Sequence, residues 1–201
     1  MSAVAQPTAE ELLDRFNQGA VHAFDSIVSR YERPIYNYVL RSVRDRDRAR
    51  DLTQDVFLKV VQRSEQFRGQ SKFSTWLYTI ARNVCIDHGR KMVFRRHKSL
   101  DEPLREGESG ALVDRVRSKT LGAGRDAIGQ QLQGAIAQAV ENLPEDQKEV
   151  FLMRQIQHLP FKEIAEIVGV PENTVKSRMR YALERLQAAL EEFRDYAEEV
   201  G

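Results

Sequence analysis

The chain of 201 residues is 41% hydrophobic and 30% charged with a formal net charge of +1, a balance that suits amphipathic helices and excludes a chain too polar to fold. Its single cysteine, Cys85, excludes an internal disulfide and any multi-cysteine zinc site, and fits a reducing, cytoplasmic setting. No stretch approaches the roughly 20 apolar residues that a spanning helix needs, and the N-terminus lacks a basic start followed by an apolar core, so no membrane insertion is expected.

In chain order, nearly every periodic segment has the helical period. Leu12, Leu13 and Phe16, then Ala23, Phe24, Ile27, Val28 and Tyr31, recur at i, i+3, i+4 and i+7. Pro34 is expected to open the next helix, which carries Ile35, Tyr38, Val39 and Val43, because proline is tolerated in a first turn. From Asp47 a further helix reads DRARDLTQDVFLKVVQRS, with Leu52, Val56, Val60 and Phe57 as its inward residues. A fourth begins after RGQSKF, capped by Ser74 or Ser71, and reads STWLYTIARNVCIDHGRK. Between about Ser99 and Ile128 four glycines, Pro103 and mixed charge interrupt the pattern, which predicts a flexible linker. Order returns with LQGAIAQAVENL, turns at Leu143-Pro144, continues through EDQKEVFLMRQIQ, breaks at Leu159-Pro160 and ends in two more helices. No hairpin signal and no internal repeat is found. The expected fold is therefore all-α, with two small helical domains, 1–98 and 129–201, joined by a flexible linker over 99–128.

The last pair of helices, FKEIAEIVGVPENTVKSRMR, has the form of a helix-turn-helix. Ala165, Gly169 and Val175 stand fifth, ninth and fifteenth, where close helix crossing, a left-handed turn and an apolar lock are required. Ile164, Ile167 and Val168 supply the inner face of the first helix. Val175, Met179, Ala182, Leu183, Leu186 and Leu190 mark the buried side of the second. Lys176, Ser177, Arg178, Arg180 and Tyr181 fall away from that stripe, in the turns that such motifs lay into the DNA major groove. The helix N-terminus adds free N–H groups and partial positive charge for phosphates, and Arg and Lys can read guanine edges.

The net charge conceals a local excess. Residues 68–98 hold eight cations against only Asp87, whereas 1–67 are balanced and 99–201 are acidic. Such a block is the footprint of a surface that meets phosphates. Phe67, Phe73, Trp76 and Tyr78 are interleaved with it, a combination that suits single-stranded nucleic acid, because unstacked bases lie on aromatic faces while cations follow the backbone. Trp76 fits equally a core position at helical spacing. The loop from Arg68 to Phe73, polar and tipped by Gly69, is the candidate for gripping a flipped base.

The segments DLTQDVFLKVVQ, FSTWLYTIARNVCIDHGRK and LPEDQKEVFLMRQIQHLPFKEIAEIVGVPENTVKSRMRYALERL together resemble an extracytoplasmic-function sigma factor of the sigma-70 family, the small promoter-recognition subunits of bacterial RNA polymerase. The resemblance covers about Ala23 to Lys91 and Ile136 to Leu190. It implies that Asp51, Leu52, Gln54, Asp55, Phe57, Leu58 and Lys59 belong to the helix that docks on bacterial core RNA polymerase, at the clamp of the beta-prime subunit. From the residues alone this segment reads equally well as a salt-bridged solvent helix. Arg68, Lys72, Phe73, Ser74, Trp76, Asn83 and Arg90 fall in the part that opens and reads the −10 element as single strand. Pro171, Asn173, Thr174, Lys176, Ser177, Arg178 and Tyr181 match the recognition helix for the −35 element of promoter DNA. Asn173 and Tyr181 depart from residues found in some relatives, so the −35 sequence is not carried over.

The resemblance further implies a contact with the beta flap and an anti-sigma factor as regulatory partner. A linker of roughly 30 residues spans up to about 100 Å, and promoter elements two helical turns apart are separated by about 70 Å, so its reach suffices. His22, His88, His97 and His158 show no metal-ligand spacing and no Gly-rich phosphate loop is present, so no enzyme activity, cofactor or metal is expected. Cys85, Asp87 and His88 point in different directions on a helix and do not form a nucleophile cluster; Cys85 is read as structural rather than redox-active. Two readings compete with the sigma factor: a helix-turn-helix regulator that binds duplex DNA without acting as a polymerase subunit, and a helical adaptor that binds no nucleic acid.

Overall fold

The computed structural model describes residues 6–99 and 123–193, with the side chains of 93–99, 123–130 and Glu192 left aside. The described residues contain no strand. Their helices are α1 (Ala9–Asn17), α2 (Val21–Val43), α3 (Arg46–Arg63), α4 (Phe73–Ser99), α5 (Ala123–Glu141), α6 (Glu145–Gln155), α7 (Phe161–Val168) and α8 (Glu172–Ala189). They divide between two compact units, the first built on α1 to α4 and the second on α5, α6 and α8, to which most of α7 also belongs. Of the expected linker, residues 100–122 lie outside the described residues, while Ala123–Ile128 already form the start of α5.

In the first unit α2 packs against α1, α3 and α4. The chain enters α1 through a capping box. Thr8 Oγ1 accepts from the Glu11 N–H at 3.2 Å and Glu11 Oε2 accepts from the Thr8 N–H at 3.1 Å, which satisfies two donors that the first turn leaves open. Leu13, Ile27, Val39, Val56 and Leu77 are fully buried, and each such side chain contributes about 1.5–3 kcal/mol on leaving water. Asp45, whose Oδ1 accepts from the Arg48 N–H at 2.9 Å, caps α3.

Two expectations need correction here. Pro34 does not open a helix but lies inside α2. An interior proline costs about 3 kcal/mol through its missing N–H and the clash with the preceding turn, yet Ile35 and Val39 just beyond it are fully buried and offset that cost by continuing one apolar stripe. Neither Ser71 nor Ser74 immediately precedes α4, whose first residue is Phe73; Ser74 lies within the first turn, and the Phe73 ring that begins the helix is fully buried. The same helix also runs past Lys91 to Ser99.

In the second unit α8 packs on α6 and α5, around a cluster of Ala139, Leu143, Ala182 and Leu186 flanked by Val140, Phe151 and Leu190. Val175, Met179, Ala182 and Leu186 form the buried stripe of α8, whereas Leu183, expected inward, is 46% exposed. It follows Ala182 by about 100° around the helix, which carries it off the stripe. Ile164 and Ile167 of α7 are buried. Gly169 ends α7 in the left-handed region at φ 75°, its N–H donating to the Ala165 carbonyl at 2.9 Å.

Nothing lies within 4 Å of a Cβ added at Gly169, so a side chain there meets only backbone strain. Gly169→Ala is expected to lower the stability of the second unit by about 1–2 kcal/mol in urea unfolding. In the first unit, burial pushes the Tyr78 phenol up, with the neighbouring charge of Tyr31 adding to the shift. A folded value raised above the unfolded value of about 10 leaves the associated stability intact below that pH and removes it as pH rises further. Denaturation midpoints are therefore expected to fall above about pH 10, and Tyr78→Phe to reduce that alkaline loss.

Candidate nucleic-acid interface

Two surfaces gather the residues singled out from the sequence, one in each unit. In the first unit a single 3-10 turn, Ser64–Gln66, leads from α3 into the loop that precedes α4. Gly69 turns that loop at φ 65°, a conformation glycine adopts without steric cost. Arg68, Gln70 and Lys72 are exposed along it. Beneath it the rings of Phe67, Phe73 and Trp76 meet one another at centroid distances of 5.2 to 6.1 Å, and Tyr31 closes on Phe73 at 5.3 Å. Burial raises the Tyr31 phenol above its ordinary value, Arg30 opposing and Glu10 reinforcing the shift, so the phenol stays neutral in the physiological range.

Phe73, expected to touch a base, is completely buried. Its ring supports the loop from below and offers no face to a ligand. Phe67 and Trp76 are half-buried at the rim, and Trp76 packs on Phe73 while keeping part of its surface open. Trp76, Asn83 and Arg90 follow at seven-residue intervals, which sets them nearly in line along α4, about 10 Å apart per step. Asn83 and Arg90 are exposed; Ser74 is half-buried in the first turn of α4. Between α3 and α4 lies a shallow groove lined by Lys59, Arg63, Arg82, Asn83, Asp87 and Arg90, four cations against one acid. Arg82 belongs to the cationic block already read from the sequence, whereas Arg63 had not been singled out. Its distance from Arg90 along the chain conceals that the packing of α3 on α4 brings the two to one groove.

On α3 the residues expected to face a polymerase separate by exposure. Asp51, Gln54, Asp55 and Leu58 are exposed at i, i+3, i+4 and i+7, with Leu58 at 55%, and so share one face. Among the described residues neither Asp51 nor Asp55 has an ion-pair partner, so the salt-bridged alternative finds no support there. Leu52 and Phe57, in contrast, are interior. Phe57 meets Phe24 edge-on at 6.4 Å, which makes it a core residue and not a docking residue. Lys59 lies on the groove side, away from that acidic face.

In the second unit α8 exposes Asn173, Lys176, Ser177, Arg180 and Tyr181, with Pro171 as the preceding cap and Thr174 half-buried. The cations are held in place by neighbouring acids. Lys176 Nζ lies 2.7 Å from Glu172 Oε1 and Arg180 Nη1 donates to Glu184 Oε1 at 2.9 Å, while the Arg180 guanidinium also stacks 4.4 Å from the Tyr181 ring centroid. Arg178 differs from the expectation that it points away from the protein. Its side chain is 24% exposed, with Nε 3.1 Å from Asp146 Oδ2 on α6. Asp146 could not have been found from sequence spacing, since the pair joins separate helices. The Ser177 hydroxyl donates to the Asn173 carbonyl at 2.9 Å, which leaves its oxygen free to accept.

Exposed pairs of this kind contribute only about 0–1 kcal/mol, so each cation can leave its carboxylate for a phosphate or a base edge at small cost. Among the described residues no group of three or more His, Cys, Asp or Glu could hold a metal ion, and no helix is long and apolar enough to cross a membrane.

Comparison with known proteins finds matches in both units. Residues 27–93 match Sigma-70 region 2 and residues 133–186 match Sigma-70, region 4. The chain is similar to the RNA polymerase sigma-H factor of Pseudomonas aeruginosa, 32% identical over 94% of this chain and 96% of that protein. It is similar also to the ECF RNA polymerase sigma-E factors of Haemophilus influenzae, 31% identical over 90% of this chain and 95% of that protein, and of Escherichia coli, 32% identical over 90% and 93%. The fold is shared with the sigma factor RpoE from Bartonella quintana, solved in complex with the anti-sigma factor NepR, at a TM-score of 0.64 and 24% identity over 84% of this chain and 96% of that one. It is shared as well with CnrH, solved in complex with the cytosolic domain of CnrY, at a TM-score of 0.65 and 18% identity over 91% and 97%. A basic, aromatic helical unit, a helix-turn-helix unit and relatives aligned over nearly their full lengths lead to one family: the chain belongs to the extracytoplasmic-function sigma factors of the sigma-70 family.

Proposed function

We propose that this sigma factor divides promoter recognition between its two units, with 1–98 serving core polymerase and the −10 element, 99–128 as linker, and 129–201 serving the −35 element. The exposed face of α3, Asp51, Gln54, Asp55 and Leu58, docks on the clamp of the beta-prime subunit, where an acidic and apolar stripe meets basic partner residues. The second unit rests on the beta flap and lays α8 into the −35 major groove. There Lys176, Arg178 and Arg180 exchange their carboxylates for phosphates or guanine edges, and Asn173, Ser177 and Tyr181 complete the readout.

At the −10 element the loop around Gly69 takes a base out of the duplex, and the strand then runs along Trp76, Asn83 and Arg90 and the cationic groove beside them. The observation that carries this reading is the half-buried Phe67 and Trp76 pair beneath an exposed Arg68 and Lys72, at the head of a polar stripe on α4. The protein performs no bond chemistry; it supplies binding energy for strand opening by the polymerase. It acts in the cytoplasm, and an anti-sigma factor holds it inactive by covering the polymerase-facing surfaces, a partner of the kind found with the solved relatives.

The test is reconstitution with bacterial core polymerase, after mapping transcription start sites in cells that overexpress the protein. Lys176→Ala with Arg178→Ala is expected to abolish promoter-specific transcripts while affinity for core polymerase stays within about twofold, since the lost contacts are to DNA. Asp51→Ala with Asp55→Ala is expected to weaken core binding about ten-fold or more while duplex binding by the second unit persists. Unchanged polymerase affinity in the latter variant refutes the docking face. Duplex binding with no polymerase-dependent transcript from the unsubstituted protein would favour a conventional regulator.

A further inference from the structure

The N-terminal helix α1 grips both ends of the segment that carries the −10 loop. On the leaving side, the Phe73 N–H donates to Glu10 Oε1 at 2.7 Å across 63 positions of sequence. Phe73 is the first residue of α4, and the first turn of that helix contains no acidic side chain of its own. The first N–H groups of a helix have no intrahelical acceptor, and the partial positive charge at that end favours a carboxylate. Glu10 supplies it from another helix. On the entering side, Asn17 Nδ2 donates to the Ser64 carbonyl at 3.2 Å, across 47 positions. Ser64 is buried and begins the 3-10 turn that delivers the chain into the loop.

Glu10 and Asn17 lie seven residues apart, two turns of α1, on one face of that helix. The helix is itself anchored by its capping box, by the buried Leu12 and Leu13, and by Arg30, whose guanidinium donates to the Pro7 carbonyl at 3.1 Å. We propose that α1 is a splint for base capture, with Glu10 and Asn17 as positioning residues that set the two ends of the loop between Ser64 and Phe73 at the separation an extruded base requires. The proposal rests on the reading of that loop as the −10 element's binding loop. Its physical basis is the glycine turn: Gly69 turns the chain at φ 65° and nothing lies within 4 Å of a Cβ placed there, so contacts at the ends of the loop carry the more weight in setting its geometry. Neither positioning residue touches DNA.

The experiment uses full-length protein, reconstituted holoenzyme and a mapped promoter, with permanganate reactivity of −10 thymines as the measure of strand opening. Glu10→Ala is expected to slow opening about ten-fold and Asn17→Ala about threefold, the scale of losing a charge-assisted and a neutral hydrogen bond. Glu10→Gln, which keeps an oxygen acceptor, is expected to recover most of the loss. Affinity for core polymerase and for −35 duplex should stay within about twofold, because the surfaces concerned lie elsewhere.

Hydrogen exchange of the free protein provides a readout that general destabilisation cannot mimic. Glu10→Ala should accelerate exchange at the Phe73 amide and in the loop, while amides in the middle of α2 keep their protection. The splint is overturned if the Phe73 amide exchanges as in the unsubstituted protein, if opening is unchanged in Glu10→Ala, or if core affinity and α2 protection fall in step with opening. Absence of opening by the unsubstituted holoenzyme would refute the reading of the loop itself, a different result from normal opening that is indifferent to Glu10.

Discussion

The burial of Phe73 governs the first unit. Because it is the first residue of α4, enclosing its ring among Tyr31, Phe67 and Trp76 fixes both where the helix begins and where the preceding loop must end. The helix in turn orders Trp76, Asn83 and Arg90 along one line, and its packing against α3 creates the cationic groove beside that line. A ring that sequence patterning assigned to the ligand is thus a foundation. Its rigidity is what allows a short polar loop to hold a shape, since an interior packed at crystal-like density resists displacement.

The second unit solves a different problem. On the proposed reading, its recognition helix must present cations to an anion without leaving them unpaired before the anion arrives. Lys176 and Arg180 lean on Glu172 and Glu184 one turn away, and Arg178 leans on Asp146 of α6. These pairs are exposed or partly so, hence weak, and they act as placeholders rather than as structural bonds. The inter-helical pair adds something the local pairs do not, because it ties the direction of Arg178 to a second helix.

Much of this was legible in the residues. The helical period gave the order and approximate extent of the elements, Gly169 at the ninth place of the motif takes up the left-handed turn, and Val175 is wholly buried. Spacing puts Asp51, Gln54, Asp55 and Leu58 on one helix face, while their selection came from the family resemblance and their exposure from the structure. Pro34 was misjudged because a proline signal is local, while the decision to continue α2 rests on Ile35 and Val39 finding a core contributed by other helices. Phe73 was misjudged for a related reason: an aromatic residue beside cations has the same local signature whether its ring faces a base or its neighbours.

What the sequence by itself determined was therefore the alphabet of the protein: amphipathic helices, a helix-turn-helix with a basic face, an aromatic and cationic block, and a family pattern covering both. Periodicity and composition encode these because they depend on residues within one or two turns of each other. Only the tertiary structure decided which rings are interior, that Arg178 answers to Asp146, that Lys59 and Arg63 join Arg82 and Arg90, and that Glu10 and Asn17 meet the two ends of a loop far along the chain. Those pairings are set by how helices dock, and docking minimises exposed apolar surface over the whole unit, a quantity that no short window of residues contains.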